Sequence, residues 1–124
     1  MIDVCIVEDN EVFREALEIL LGMVPELRVV AAVPDGHTAL EVCPRLEPDV
    51  VLVDYRLPEL DGVETTAAIR AVCPRAAVVI LSAAADSVEV DALLEAGAVA
   101  CLSKDRELDE IVAAIRTAAG RSVS

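Results

Sequence analysis

The sequence predicts an α/β protein: a single domain of the (βα)5 type, built on a doubly wound parallel sheet of five strands. Two observations support this prediction. Short runs of residues are continuously apolar rather than alternating, as expected for parallel strands that are covered on both faces. Segments with helical spacing of apolar residues separate these runs. Strands that are joined by such crossover helices run parallel, with right-handed connections.

The order of the elements follows from these runs. The predicted strands lie near residues 2–7, 28–33, 50–53, 77–81 and 98–102. The predicted helices lie at 11–21, 37–47, 63–72, 86–96 and 105–119. Strand and helix therefore alternate from one end of the chain to the other, with no repeat or low-complexity segment between them.

The first two helices have recognisable boundaries. Asn10 is a typical N-cap and Gly22 a typical stop for the first helix, whose core-facing stripe is predicted to be Phe13, Ala16, Leu17 and Leu20. The second helix contains Pro44, which lacks a backbone N–H, so we expect this residue to kink the helix or end it early.

The last two helices are also bounded by sequence signals. Asp86 followed by Glu89 resembles a capping box for a helix that ends at Gly97. The final helix shows the apolar spacing Leu108, Ile111, Val112 and Ile115, and Gly120 follows it. We therefore assign residues 1–120 to the domain and 121–124 to a tail or a shortened linker.

Composition narrows the function. The chain has 124 residues, 56% of them hydrophobic, and a formal net charge of −13. Such an acidic domain is unsuited to gripping nucleic acid phosphates or an anionic membrane surface. Its four cysteines form no C-x-x-C pair and it has one histidine, so a zinc site is not expected. We find no leader pattern and no apolar run of membrane-span length, which favours a reduced, cytoplasmic protein.

Polar residues follow four of the predicted strands. Glu8 and Asp9 follow the first strand, Asp54 ends the third, Ser82 ends the fourth and Lys104 follows the fifth. Side chains at the carboxyl ends of parallel strands point into the crevice where open α/β sheets bind ligands. Each residue alone has an ordinary structural explanation, such as a helix cap or a surface lysine. Together, at four strand ends, they require a functional explanation.

The residue types indicate phosphoryl chemistry. The three neighbouring acids repel one another, and a hard divalent cation such as Mg²⁺ would relieve that repulsion. A carboxylate such as Asp54 can act as a nucleophile and accept a phosphoryl group. The metal and the Lys104 ammonium would then neutralise the charge of the phosphoryl oxygens, and the hydroxyl of Ser82 could donate a hydrogen bond to one of them.

At these spacings the chain resembles the receiver domain of two-component response regulators across essentially its whole length. The resemblance rests on four pieces of sequence: Glu8-Asp9, the segment 54–62 with Asp54, Pro58, Asp61 and Gly62, the segment 81–83, and the segment 97–104. It implies the flavodoxin-like receiver fold. It also implies roles: Asp54 as phosphoacceptor, Asp9 and Asp54 as ligands of Mg²⁺ (or Mn²⁺), Glu8 as a metal ligand through water, the Arg56 backbone carbonyl as a further ligand, Ser82 as the switch hydroxyl, and Lys104 as the partner of the phosphoryl oxygens.

Two positions depart from the family pattern. Cys101 stands where the family usually has an aromatic switch residue, so any coupling from Ser82 to the outer face runs without an aromatic rotor. Asp105 follows Lys104, at a position where the family often has proline. In this respect the chain is more similar to the NarL/LuxR-type subfamily. Regulators of that subfamily carry a helix-turn-helix DNA-binding domain, which this chain lacks, so it is either a receiver fragment or a stand-alone receiver.

The resemblance implies a phosphorylation switch. A sensor histidine kinase would transfer a phosphoryl group to Asp54, and the change in conformation would control an output domain or partner protein, with transcription as the expected output. Readout and homodimerisation are expected on the face of segments 86–96, 98–102 and 105–119, or on the face that pairs the first and last helices. The domain would catalyse only its own modification, so it is not expected to be an enzyme with an external substrate.

Three alternatives were weighed against this hypothesis. A phosphatase with an aspartyl nucleophile often carries a second acid two residues later, and Arg56 at that position counts against it. A degenerate receiver that acts unphosphorylated, as a protein-interaction module, stays open because of Cys101. A flavodoxin-like cofactor binder is weaker, because the strand ends lack a run that could cradle phosphate and only 2% of the residues are aromatic.

Overall fold

The computed structural model describes residues 1–55, 62–83 and 86–123, the last three as backbone only. Strands and helices alternate through these residues, as the sequence predicts. The strands are β1 (Ile2–Val7), β2 (Leu27–Val33), β3 (Val50–Asp54), β4 (Ala77–Ser82) and β5 (Ala98–Ser103). The helices are α1 (Glu11–Gly22), α2 (Gly36–Leu46), α3 (Gly62–Val72), α4 (Ser87–Ala96) and α5 (Leu108–Val123).

The five strands form one parallel sheet in the order β2-β1-β3-β4-β5. β2 lies on one side of β1, and β3, β4 and β5 follow in order on its other side. The order therefore reverses between β1 and β3, and a ligand crevice is expected outside the carboxyl ends of these two strands. The predicted (βα)5 architecture is confirmed.

Two apolar layers cover the sheet. One face packs against α1 and α5, and the other packs against α2, α3 and α4. Every residue of β3 and β4 is buried, which explains why these strands are continuously apolar. Because both faces are covered, the carboxyl edge of the central strands is where polar side chains can reach solvent.

Three helix ends match the sequence signals. The Asn10 side chain accepts a hydrogen bond from the N–H of Phe13 and caps α1. Asp86 and Glu89 form the expected capping box at the start of α4. Gly97 ends α4 with φ 116°, a left-handed conformation that glycine adopts without strain.

The second helix continues for only two residues after Pro44. It ends at Leu46, one residue before the predicted end at 47. Glu47 adopts a left-handed conformation and donates its N–H to the carbonyl of Cys43 at 2.8 Å, which closes the helix.

Two other helix predictions need correction. In α1 the fully buried positions are Leu17 and Leu21, whereas Leu20 is 42% exposed and Ala16 lies on the outer face. The final helix starts at Leu108 rather than 105, because Ser103 accepts the N–H of Arg106 and forms a turn. Its backbone stays helical beyond Gly120 to Val123, while the predicted stripe of Ile111, Val112 and Ile115 is buried as expected.

Across the described ranges, no helix combines the length and the apolar character that crossing a membrane would require.

Candidate functional site

The topology brings the predicted site residues to one edge of the sheet. In the register between β1 and β3, Val7 pairs with Val53, so Glu8 and Asp54 occupy equivalent positions on neighbouring strands. In the register between β4 and β5, Ser82 pairs with Ser103, the residue before Lys104. Four strand ends that are distant in sequence thus meet at the crevice, as expected from their parallel arrangement.

Glu8 is almost completely buried, although it is a charged residue. Its side chain is 2% exposed, and every group of the residue is held in place. One carboxylate oxygen accepts the N–H of Asn10 at 3.0 Å, and the other lies 2.7 Å from the Nζ of Lys104. Its backbone N–H donates to the carbonyl of Val33, and its own carbonyl accepts a hydrogen bond from Arg14 at 2.9 Å. A buried carboxylate with this many partners is fixed in orientation.

Asp54 is the second buried acid of the site. It is 6% exposed, and its Oδ2 lies 3.3 Å from Lys104 Nζ. The N–H of the next residue, Tyr55, donates to the carbonyl of Leu81, which continues the sheet register to the edge. The carboxylate therefore stands at the end of a rigid, buried strand, directly beside a cation.

Lys104 joins the two buried acids. Its backbone N–H donates to the Ser82 carbonyl at 2.8 Å, and its ammonium contacts both Glu8 and Asp54. Partial burial acts to lower the pKa of this ammonium, but its hydrogen bond to Glu8 and the charges of both acids outweigh burial and raise the pKa. Lys104 consequently stays positively charged throughout the physiological range.

Asp9 completes a group of three acids. One carboxylate oxygen each from Glu8, Asp9 and Asp54 lies within 4.8 Å of the others, and Asp9 is exposed to solvent. Three hard oxygen donors that converge from two neighbouring strands, with one side open, suit a small divalent cation that keeps part of its water shell. The donor set thus fits Mg²⁺ or Mn²⁺. The predicted ligand from the Arg56 backbone carbonyl lies outside the described residues.

Ser82 carries a buried hydroxyl that makes no hydrogen bond to any described part of the chain. The residue is 3% exposed, and its Oγ is fully enclosed. Leaving a buried hydroxyl without a partner costs about 1 to 3 kcal/mol. Such a group at the carboxyl edge is suited to receive a partner that arrives with a ligand or with modification of Asp54.

Cys101 lies on the same face of the sheet as Ser82. It pairs with Ile80 in the register of β5 and packs, half-buried, against the core layer beneath α2, α3 and α4. Burial raises the pKa of its thiol, so the group is protonated and behaves as a small apolar side chain. Its proposed part in a switch stays a prediction.

Sequence reasoning missed three supports of this site. Phe13, predicted only as a core position, places its ring 4.8 Å (to the centroid) from Lys104 Nζ. Arg14 and the N–H of Asn10 fix Glu8. A simple count offered one signal: Lys104 is the only lysine of the chain, against nine arginines. The only flexible ammonium side chain therefore lies at the crevice.

The described structure is thus a doubly wound five-stranded sheet with two buried acids, a lysine and a hydroxyl at its carboxyl edge. The response regulator receiver domain family model matches residues 4–116, and the chain belongs to that family.

Its relatives place it among regulators of the NarL type. It is 40% identical over 117 residues to the transcriptional regulatory protein LnrK of Bacillus subtilis, a match that covers 94% of this chain and 53% of LnrK. The signal receiver domain of NarL from Mycobacterium tuberculosis superposes with a TM-score of 0.90 at 35% identity, covering 96% of each chain. The chain spans about half the length of the curated regulators LnrK, DegU and NarP that it matches.

A second similar structure concerns the acidic group. The receiver domain of the sensor histidine kinase PA1611 from Pseudomonas aeruginosa has a magnesium ion coordinated in its active site cleft. It superposes with a TM-score of 0.83 at 32% identity, covering 95% of this chain and 97% of that one. A cleft that holds magnesium therefore occurs in a protein with the same fold.

Proposed function

We propose that this domain is a phosphorylation-dependent switch of a two-component system, with Asp54 as the phosphoacceptor. The observation that carries the proposal is the contact of a buried carboxylate with a cation: Asp54, 6% exposed, lies 3.3 Å from the ammonium of Lys104. A carboxylate in this position is fixed and open to the crevice. The charge of any phosphoryl group that it accepts would develop next to Lys104.

The reaction is a phosphoryl transfer between side chains. An oxygen of Asp54 forms a bond to the phosphorus atom while the bond from phosphorus to the histidine nitrogen of the kinase breaks, and the released imidazole takes a proton from solvent. Lys104 neutralises the negative charge of the phosphoryl oxygens during transfer. Water later attacks phosphorus and restores the carboxylate, with release of inorganic phosphate. The domain thus modifies itself and turns over no metabolic substrate.

Glu8, Asp9 and Asp54 would hold the metal that this chemistry needs. Mg²⁺, or Mn²⁺ in its place, would supply positive charge to the transferring phosphoryl oxygens when bound. Asp9 is suited to direct ligation because it is exposed beside the two buried acids. Glu8 is suited to contact through water because both of its oxygens already have partners. The Arg56 carbonyl completes the proposed ligand set.

Ser82 and Cys101 would convert phosphorylation into a change of surface. The hydroxyl of Ser82, which has no partner among the described residues, gains an acceptor when a phosphoryl group is present on Asp54. Its movement would change the packing of β5 and α4, where Cys101 lies in place of an aromatic ring. Phosphorylation then shifts an equilibrium between two conformations.

The partners follow from this scheme. A sensor histidine kinase supplies the phosphoryl group in the cytoplasm, and an output domain or partner protein reads the changed surface, either directly or through a homodimer. LnrK is named a transcriptional regulatory protein and is about twice as long as the matched part, which supports transcription as the output. The net charge of −13 makes nucleic acid binding by this domain itself unfavourable.

A second function is favoured by Cys101. Without an aromatic rotor at this position of β5, coupling to the outer face is reduced, and the domain would act unphosphorylated, as a protein-interaction module. In that case substitution of Ser82 or Asp54 would leave the affinity for the partner protein unchanged.

Intact mass spectrometry separates the two functions. The protein is incubated with acetyl phosphate, with and without Mg²⁺, as wild type, Asp54→Asn and Asp49→Asn. Asp49 is the matched control, because it precedes β3 at the opposite end of the same strand. We expect a Mg²⁺-dependent phosphoryl adduct in wild type and in Asp49→Asn but none in Asp54→Asn. Absence of an adduct in wild type under all conditions would leave the unphosphorylated module as the better account.

A further inference from the structure

The Lys104 ammonium has three described neighbours, and one of them carries no charge. Nζ lies 2.7 Å from Glu8 and 3.3 Å from Asp54, and it stands over the ring of Phe13 at 4.8 Å from the centroid. The negative face of an aromatic ring attracts a cation within about 6 Å. The two acids hold the ammonium from one side, and the ring supports it from another.

The backbone of Phe13 is anchored at the start of α1, and its ring is half-buried. The backbone N–H of Phe13 donates to the side chain of the N-cap Asn10 at 2.9 Å. The half-buried side chain packs against the core layer beneath α1 and α5. The same first turn of α1 thus fixes Glu8, through Asn10 and Arg14, and fixes the aromatic surface that faces Lys104. The helix start thus places the half-buried ring beside Lys104.

We propose that Phe13 is a positioning residue that keeps the Lys104 ammonium beside Asp54 when a divalent cation engages the acids. A cation that binds Glu8 and Asp54 competes with Lys104 for their negative charge and also repels its ammonium. The attraction to Phe13 is not subject to that competition. This inference rests on the proposed function, because it assigns a role to Phe13 in the reaction at Asp54.

Nuclear magnetic resonance tests the contact itself. Labelling with ¹³C-lysine marks only Lys104, since the chain has no other lysine. A ring face shifts nearby protons upfield, so the ε protons of Lys104 should resonate further upfield in wild type than in Phe13→Leu. Phe13→Tyr keeps the ring and should retain the shift, as should Ile19→Ala, an exposed control on the same helix. The wild-type shift should persist in saturating Mg²⁺. Equal shifts in wild type and Phe13→Leu, or loss of the shift with Mg²⁺, would overturn the proposal.

Phosphorylation by a small donor tests the consequence. At saturating Mg²⁺ and donor, Phe13→Leu should slow adduct formation roughly three- to tenfold, and Phe13→Tyr should restore the rate. Thermal unfolding of each variant confirms that it is folded. A Phe13→Tyr variant as slow as Phe13→Leu would refute a role for the ring face. If neither wild type nor any variant accepts a phosphoryl group, the proposed function fails. The lysine resonance still decides whether the contact between Phe13 and Lys104 exists.

Discussion

Acidic residues at the amino edge of the sheet differ in burial and pairing from those at the carboxyl edge. At the amino edge, the N–H of Asp3 donates to the carboxylate of Asp49, and the N–H of Asp49 donates to the carbonyl of Asp3. Asp3 also pairs with Arg28, whose side chain is 63% exposed. At the carboxyl edge, Glu8 and Asp54 are buried and share a single ammonium. The amino edge has a cavity of about 520 Å³ next to Asp49, yet the described residues bury no charged group there. Buried charge among the described residues therefore distinguishes the carboxyl edge from the amino edge.

The largest expected effect comes from removing one cation at each edge. Lys104→Met leaves Glu8 and Asp54 buried without their counter-ion, and at pH 7 without Mg²⁺ it should lower the free energy of unfolding by about 3 kcal/mol, the low end for breaking a buried pair. Arg28→Met removes a mostly exposed partner and should produce a far smaller change, since solvent screens such pairs. Urea denaturation measures both. Similar losses in the two variants would mean that the edges do not differ electrostatically.

The next effect concerns metal at the carboxyl edge. A ligand that binds only the folded state at one hundred times its Kd stabilises a protein by about 2.7 kcal/mol. We expect Mg²⁺ to raise the stability of wild type in this way, and Asp9→Asn to remove most of the gain because it removes the exposed ligand. Asp49→Asn, at the amino edge, is the control and should respond like wild type. Thermal unfolding as a function of Mg²⁺ concentration is the measurement. An equal response in Asp9→Asn would place the ion elsewhere.

The site at the carboxyl edge could be predicted because the order of strands and helices can be predicted from the sequence. Glu8, Asp54 and Lys104 each follow an apolar run, and parallel strands must bring such ends together. The contacts that support the site could not be predicted. The contact of Phe13 with Lys104, for example, depends on side-chain positions in segments at opposite ends of the chain. The phase of α1 was also missed. Five apolar residues crowd positions 16–21, so the spacing fits Leu20 as well as the buried Leu21.

The predicted start of α5 was wrong for a local reason. A turn between Ser103 and Arg106, with the Ser103 hydroxyl donating to Asp105, occupies residues that periodicity alone would assign to α5. In α2, only two helical residues follow Pro44, which lacks a backbone N–H. Local hydrogen bonds of this kind override a pattern read over several turns.

A third test compares two buried hydroxyls, one at the carboxyl edge and one in α3. Ser82 Oγ has no described partner, whereas Thr66 Oγ1 donates to the carbonyl of Gly62 at 2.7 Å. Ser82→Ala should therefore raise the stability of the unphosphorylated protein by about 1 kcal/mol, and Thr66→Val should lower it by about 1 kcal/mol. Equilibrium denaturation decides the signs. A destabilised Ser82→Ala would show that its hydroxyl has a partner in the unphosphorylated protein.

The smallest effect concerns a partly exposed carboxylate, which differs from the buried carboxylates at the same edge. Asp35 caps α2, and the N–H of Thr38, which donates to its side chain at 2.8 Å, holds the pKa of Asp35 below its ordinary 3.8. A pKa that folding lowers means that the stabilisation is present above pH 3.8 and is lost as the pH falls through the folded value.

Asparagine keeps the capping oxygen of Asp35 but does not titrate. Asp35→Asn should therefore match wild type near neutral pH and lose less stability on acidification. Denaturation midpoints between about pH 2 and pH 7 measure the difference. If stability falls equally steeply with acid in wild type and Asp35→Asn, the acid sensitivity of this edge comes from its other carboxylates. The contrast with the amino edge would then involve the whole crevice and not only the ion pairs of Lys104.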